Sequence, residues 1–128
     1  MIKPKSKKEL VWLVDKTIRE KGPEADLNFI DTSLITDMSD LFRVSNFNGN
    51  ISQWDVSNVE NMNHMFASSR FNGDIEKWNV SKAVCMRYMF CESMFDGDIS
   101  SWYVRNVRDM VGMFESSIFN QPICNWNV

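Results

Sequence analysis

The residues able to do chemistry are few. Three cysteines, Cys85, Cys91 and Cys124, and a single histidine, His64, are the candidate nucleophiles and base. Cysteine catalysis needs a thiolate beside a base. His64 lies in a different repeat unit from Cys85 and Cys91, and those two are six residues apart, a spacing that does not bring side chains together on a helix. An odd cysteine count without regular spacing does not read as a disulfide framework, and no spacing here matches a zinc motif. The turns Asn72-Gly73-Asp74 and Asp96-Gly97-Asp98 raise the question of calcium. Calcium takes about six to eight oxygens. Each turn offers one carboxylate, and the column reads Asp26, Asn50, Asp74, Asp98, Pro122, so these residues read as turn formers. Trp54, Trp78, Trp102 and Trp126 could form an aromatic strip for sugar or a buried stack, and their fixed position beside Val favours the core. No Gly-rich phosphate loop is visible. The expectation is a non-enzyme with no catalytic residues, no metal and no cofactor.

What positions these residues is a repeat. Phe47, Phe71, Phe95 and Phe119 are 24 residues apart. Ile51, Ile75, Ile99 and Ile123 keep the same step, as do Val56, Val80, Val104 and Val128. So do Met38, Met62, Met86 and Met110, and Phe42, Phe66, Phe90 and Phe114. Together with the tryptophans these columns hold register without insertion or deletion. The unit is Phe-Asn-Gly-Asp-Ile-x-x-Trp-x-Val-Ser-Asn-Val-x-x-Met-x-x-Met-Phe. A degenerate leading unit places Leu27, Ile30 and Leu41 in the Ile, Trp and second Met columns.

Each unit divides into two patterns. Trp54 and Val56 alternate with polar residues, which predicts a short strand over 53–57. Val59, Met62, Met65 and Phe66 form a helical stripe, and Ser57 with Glu60 resembles a capping box at its start. One unit cannot bury its own apolar face, but stacked units can, with strands ~4.8 Å apart. The predicted fold class is an α/β repeat solenoid of short parallel strands and helices. Residues 6–21, with Leu10, Leu13, Val14 and Ile18 on one stripe, Ser6 at the start and Gly22-Pro23 at the end, predict an amphipathic helix. The organisation read from this is an N-terminal capping helix over 1–24, then repeats over 25–128: a leading partial unit, three full units and a trailing half-unit.

The run Trp-Asp-Val-Ser-Asn-Val-x-x-Met-x-x-Met-Phe (54–66), followed by Phe-Asn-Gly-Asp-Ile (71–75), resembles the BspA-like leucine-rich repeat family. So does the leading Ala25-Asp26-Leu27-Asn28-x-Ile30-Asp31 after a short helix. The resemblance implies a leucine-rich-repeat-like stack and, from the bacterial surface proteins of that family, display at a surface or adhesion to proteins. Wider leucine-rich repeats also carry an asparagine ladder after the strand. The matching column here is Leu34, Asn58, Lys82, Asn106, a broken ladder.

Charge narrows the partner. Residues 1–24 carry seven Lys or Arg against four acids, and residues 25–128 carry seven against thirteen. An acidic body argues against nucleic acid, whose phosphates need a basic face. No apolar run is long enough for a membrane span or a signal-peptide core, so the expected location is cytoplasmic, or the cell surface or exterior if a signal was removed. If Trp54 and Val56 point inward, three columns point out. They are Phe29, Gln53, Lys77, Ser101, Asn125, then Asp31, Asp55, Asn79, Tyr103, Asn127, then Ser33, Ser57, Ser81, Arg105. Their chemistry varies while the inward columns do not. The candidate binding face is therefore Phe29, Asp31, Gln53, Asp55, Lys77, Asn79, Tyr103 and Arg105, with Phe29, Tyr103 and Arg105 as anchors. The expected function is a non-catalytic protein-binding or surface-display module for a partner the sequence does not identify. The alternative is a structural piece that forms a homo-oligomer through its C-terminal edge.

Overall fold

A computed structural model describes residues 1–126; Asn127 of the outward column and Val128 of the valine column lie outside the described residues. The chain opens with one helix, α1 (Lys7–Lys21). Ser6 caps it by accepting the Glu9 N–H at 3.2 Å. Gly22, at φ 92°, ends it and donates its N–H to the Ile18 carbonyl at 2.8 Å. Leu10, Leu13 and Val14 are buried from α1 into the core, where they meet the first repeat.

The predicted α/β solenoid does not form. Beyond α1, no helix and no sheet is found among the described residues. The coils touch instead through isolated parallel bridges, Asp37 to Asn61, Asn61 to Cys85 and Cys85 to Asp109. The expected strand over 53–57 is a short extended piece between turns at 52–53 and 57–58. The expected helix over Val59–Phe66 is replaced by a run of turns over 63–68. The capping box does not form either, since Ser57 turns its hydroxyl onto the Asp55 carboxylate.

The reason lies in the backbone. Two residues four apart in every coil are left-handed: Asp40 and Val44, His64 and Ser68, Tyr88 and Glu92, Gly112 and Ser116, with φ between 52° and 62°. A left-handed residue every fourth position breaks an α-helix and redirects alternate amides. Odd-numbered N–H groups bond within the coil, as Met65 to the Met62 carbonyl and Ala67 to the His64 carbonyl. Even-numbered ones bond to the next coil. Met62, His64, Phe66 and Ser68 donate to the carbonyls of Cys85, Arg87, Met89 and Cys91 at 2.8–2.9 Å. A helix would have kept these donors to itself. Each such bond is worth about 1 kcal/mol net, and each left-handed non-glycine costs roughly 1–2 kcal/mol. The bonds roughly offset the strain, so the apolar columns decide stability.

Those columns are stacks of like on like. Phe42, Phe66, Phe90 and Phe114 lie 5.6, 5.5 and 5.7 Å apart, ring over ring. Phe47, Phe71, Phe95 and Phe119 repeat this at 6.0–6.2 Å. Gly73 and Gly97 are needed beside them, because a Cβ would stand 2.6 and 2.8 Å from the rings of Phe71 and Phe95. Trp54, Trp78 and Trp102 are buried and Trp126 is half-buried against them, which places the column in the core and not on a sugar-binding strip. Each stitches backwards through its indole: Trp54, Trp78 and Trp102 donate Nε1–H to the carbonyls of Leu27, Ile51 and Ile75 at 2.9–3.1 Å.

Candidate functional surface

The turn aspartates work as turn formers. Asp74 and Asp98 accept the N–H of Glu76 and Ser100 at 3.0 and 2.9 Å, and Asn50 does the same for Ser52. The Ser100 hydroxyl and N–H together hold the Asp98 carboxyl below its usual range. Among the described residues no three His, Cys, Asp or Glu side chains gather to hold a metal. Cys85 and Cys91 are half-buried, Cys124 is exposed, and all three are free thiols. Burial, with Glu92 and Glu115 nearby, pushes the Cys91 thiol up, away from the thiolate form. His64 stacks on Tyr88 at 5.2 Å between ring centres.

The alternation around the tryptophans is as read. Trp54, Trp78 and Trp102 are buried with Val56, Val80 and Val104, while Gln53, Asp55, Lys77, Asn79, Tyr103 and Arg105 between and beside them are exposed. Phe29 is 36% exposed and Asp31 is half-buried. The outward columns are not equally free, however. Asp31, Asp55 and Asn79 each accept the N–H of the serine two residues on, at 2.9–3.0 Å, closing the turn that follows. Asp31 also faces Lys3 at 4.0 Å, and its carboxyl is held down first by the Ser33 hydroxyl and N–H. These three side chains are committed to the backbone.

One coil breaks the rule. Where the others carry Asx-x-Ser, this one carries Tyr103-Val104-Arg105. Tyr103 cannot close the turn and stands 51% exposed. Arg105 lines an open polar groove of about 560 Å³ with Lys82 and Arg108, flanked by Glu60, Ser81 and Asn106. Among the described residues neither Arg105 nor Arg108 forms an ion pair, and Lys82 reaches only the Asn58 amide oxygen at 3.0 Å. So three cations and one acid face one groove on a body whose balance is acidic. Residue type pointed to Tyr103 and Arg105. Lys82 and Arg108 were missed, because they join Arg105 only once adjacent coils are brought together.

The side-chain ladder also lies elsewhere than expected. In the column 34, 58, 82, 106, Asn58 and Asn106 donate to the carbonyls of Ser33 and Ser81, both at 2.7 Å. The unbroken ladder is the Asn of Phe-Asn-Gly. Asn48, Asn72 and Asp96 accept the N–H of Asn72, Asp96 and Asn120 at 2.8–2.9 Å. At the other end of the molecule a second groove, about 470 Å³ and mostly apolar, lies between Ile2, Lys3 and Pro4 and the α1 residues Lys8, Glu9, Trp12 and Leu13. No helix among the described residues is long and apolar enough to cross a membrane.

No curated protein and no solved structure matches the chain. A family model described as "Mycoplasma protein of unknown function, DUF285" matches residues 14–126. This corrects the resemblance to BspA-like leucine-rich repeats, which rested on the spacing of Trp, Val and Met, and the absence of a sheet removes the leucine-rich-repeat and solenoid description with it. The repeats from the last turns of α1 to Trp126 place the chain in a different group: it belongs to the DUF285 family of Mycoplasma proteins of unknown function.

Proposed function

We propose that the chain is a non-catalytic protein-binding module that meets its partner on the outward face of the coils at Tyr103 and Arg105. The observation that carries this reading is the local break in the repeat. At the matching positions of the earlier coils Asp31, Asp55 and Asn79 close a turn and Ser33, Ser57 and Ser81 follow, whereas here an aromatic and an arginine are released from that duty. Exposed Tyr and Arg are the side chains that contribute most when an interface closes over them. The adjoining groove, with Lys82, Arg105 and Arg108, favours a partner segment bearing carboxylates.

The test compares two baits, the chain and a variant carrying Tyr103→Ala and Arg105→Ala, exposed to the same lysate at low and raised salt. Loss of a captured protein on the variant and at raised salt, with an unchanged melting temperature, supports the reading. Capture of the same set by both baits refutes it.

A further inference from the structure

On this stack a cation with an acid nearby is generally paired with it. Arg87 lies 3.1 Å from Asp109, Arg43 3.4 Å from Asp40 and Lys7 3.6 Å from Asp37. The groove of Lys82, Arg105 and Arg108 departs from this. Glu60 lines it too, yet none of the three cations forms an ion pair among the described residues. Stacking does not ask for them either. Their columns read Asn58, Lys82, Asn106, then Ser57, Ser81, Arg105, then Glu60, Val84, Arg108, and in none does a cation recur. The hydroxyl of Ser81 is released as well. Ser33 and Ser57 turn theirs onto Asp31 and Asp55, whereas Asn79 stands before Ser81 and accepts only its N–H, at 3.0 Å. Asn106 is fixed beside Ser81 by donating to its carbonyl at 2.7 Å. The groove opens on the flank of the stack and not at its end: Glu60 and Lys82 are exposed there although a coil lies on either side of each.

We infer that this groove is a binding site for a phosphate monoester carried on a side chain of the partner, a phosphorylated serine, threonine or tyrosine. The inference rests on the reading of the outward face as a protein-binding surface, and it names what the partner's acidic segment carries. Charge sets the class. Three cations against one carboxylate leave two positive charges to be answered. A phosphate monoester brings about −1.5 to −2, where one carboxylate brings a single charge. The donors point the same way. Two guanidinium forks, an ammonium and a hydroxyl are more than the two oxygens of one carboxylate can share, and they suit the three terminal oxygens of a phosphate through charge-assisted bonds. Nucleic acid offers singly charged phosphodiesters in a long polyanion, which the acidic body around the groove opposes. Tyr103, exposed two residues before Arg105, supplies an aromatic contact for residues flanking the phosphate.

The experiment is calorimetric titration of the full chain with a short peptide bearing one phosphoserine, against the same peptide with aspartate or serine at that position. The phosphopeptide should bind about tenfold more tightly than the aspartate peptide, and the serine peptide weakest of the three. Lys82→Ala and Arg108→Ala should each weaken the phosphopeptide by roughly threefold to tenfold. Glu60→Gln should strengthen it, a gain that misfolding cannot imitate. Arg70→Ala, which removes an exposed cation outside the groove, should leave it unchanged. Equal affinity for the three peptides, or an equal loss in Arg70→Ala, overturns the inference. Tighter binding to phosphatidylcholine vesicles containing phosphatidic acid than to the phosphopeptide also overturns it, since the monoester would then come from a lipid headgroup. If the three peptides bind alike and the Tyr103→Ala, Arg105→Ala bait still loses its protein, only the phosphate fails. If that bait keeps its protein, it is the outward-face reading that fails.

Discussion

Val44 is a residue at which the observed left-handed turn and a right-handed helical conformation make opposite predictions. It is β-branched, 74% exposed, and held at φ 58°. A side chain there meets its own carbonyl, at a cost of roughly 1–2 kcal/mol, with β-branched residues at the upper end. Val44→Gly removes that cost. Glycine's extra freedom in the unfolded chain takes back about 0.5–1 kcal/mol. Little burial is lost, because three-quarters of the side chain is already in water. The Val44 N–H, which donates to the Ala67 carbonyl at 2.9 Å, is unchanged by the substitution. The expected net effect is a gain of about 0.5–1 kcal/mol, a rise of roughly 2–4 °C in melting temperature for a chain this long. In a helix the same exchange would lower stability. Urea unfolding at constant m-value, with a thermal melt alongside, reads the sign directly. A lower midpoint for Val44→Gly would refute the left-handed geometry and the hydrogen-bond direction built on it.

Three more predictions follow from the columns and the turns. Trp78→Phe loses the indole bond to the Ile51 carbonyl and part of a buried ring, so it should cost about 2–3 kcal/mol by urea unfolding. Trp126→Phe, at a half-buried site, should cost clearly less, and equal losses would contradict the graded burial. Trp12 is 62% exposed whereas Trp54, Trp78 and Trp102 are buried, so iodide quenching should fall sharply in Trp12→Phe; persistent quenching would mean the stack is open to solvent. Asp98 is held below the ordinary carboxylate range by the Ser100 hydroxyl and N–H. A depressed folded pKa contributes stability above the unfolded pKa that is lost as pH falls through the folded value. Asp98→Asn should therefore flatten the acid limb of the stability profile, and an unchanged limb would show that Ser100 does not favour the charged form.

The sequence made the repeat legible because stacking demands it. Phe on Phe and Trp on Trp repeat at 24 residues since each coil's core is completed by its neighbour. Helix α1 was legible for the same local reasons that form it, Ser6 before it and Gly22 after it. The turn run was not legible. Met62, Met65 and Phe66 suit one face of a helix and equally suit a chain that turns at His64 and Ser68, so hydrophobic spacing does not separate the two. The left-handed column holds Asp40, His64, Tyr88 and Gly112; Gly112 announces that geometry outright, Asp40 and His64 only weakly, and Tyr88 not at all. The outward face was half legible. Residue type marked Tyr103 and Arg105, but the bonds that commit Asp31, Asp55 and Asn79 to their turns decide which outward residues are free.

The uneven charge of the sequence has a structural counterpart at the first turn run. Over the turn runs the N–H groups point to the next coil, while the bonds on either side, Glu60 to Thr36 and Arg70 to Ser45, run the other way, so the carbonyls of the first run face the N-terminal segment without a dipole running through the whole stack. The first turn run is where the basic segment sits. Lys7 Nζ donates to the Ser39 hydroxyl at 2.7 Å and lies 3.6 Å from Asp37. Burial raises the Asp37 carboxyl, yet the Ser39 N–H and hydroxyl and the Lys7 ammonium together bring it below its usual value. Lys3 makes a second link, to Asp31. So the seven basic residues of 1–24 accompany the helix that covers the apolar end of the first coil, and part of their charge lies over its carbonyl end. A polyanion-binding arm would hold such lysines away from the body. Here two of them are drawn onto it, which assigns the basic segment a part in closing the fold and leaves the groove of Lys82, Arg105 and Arg108 as the cationic site facing outward.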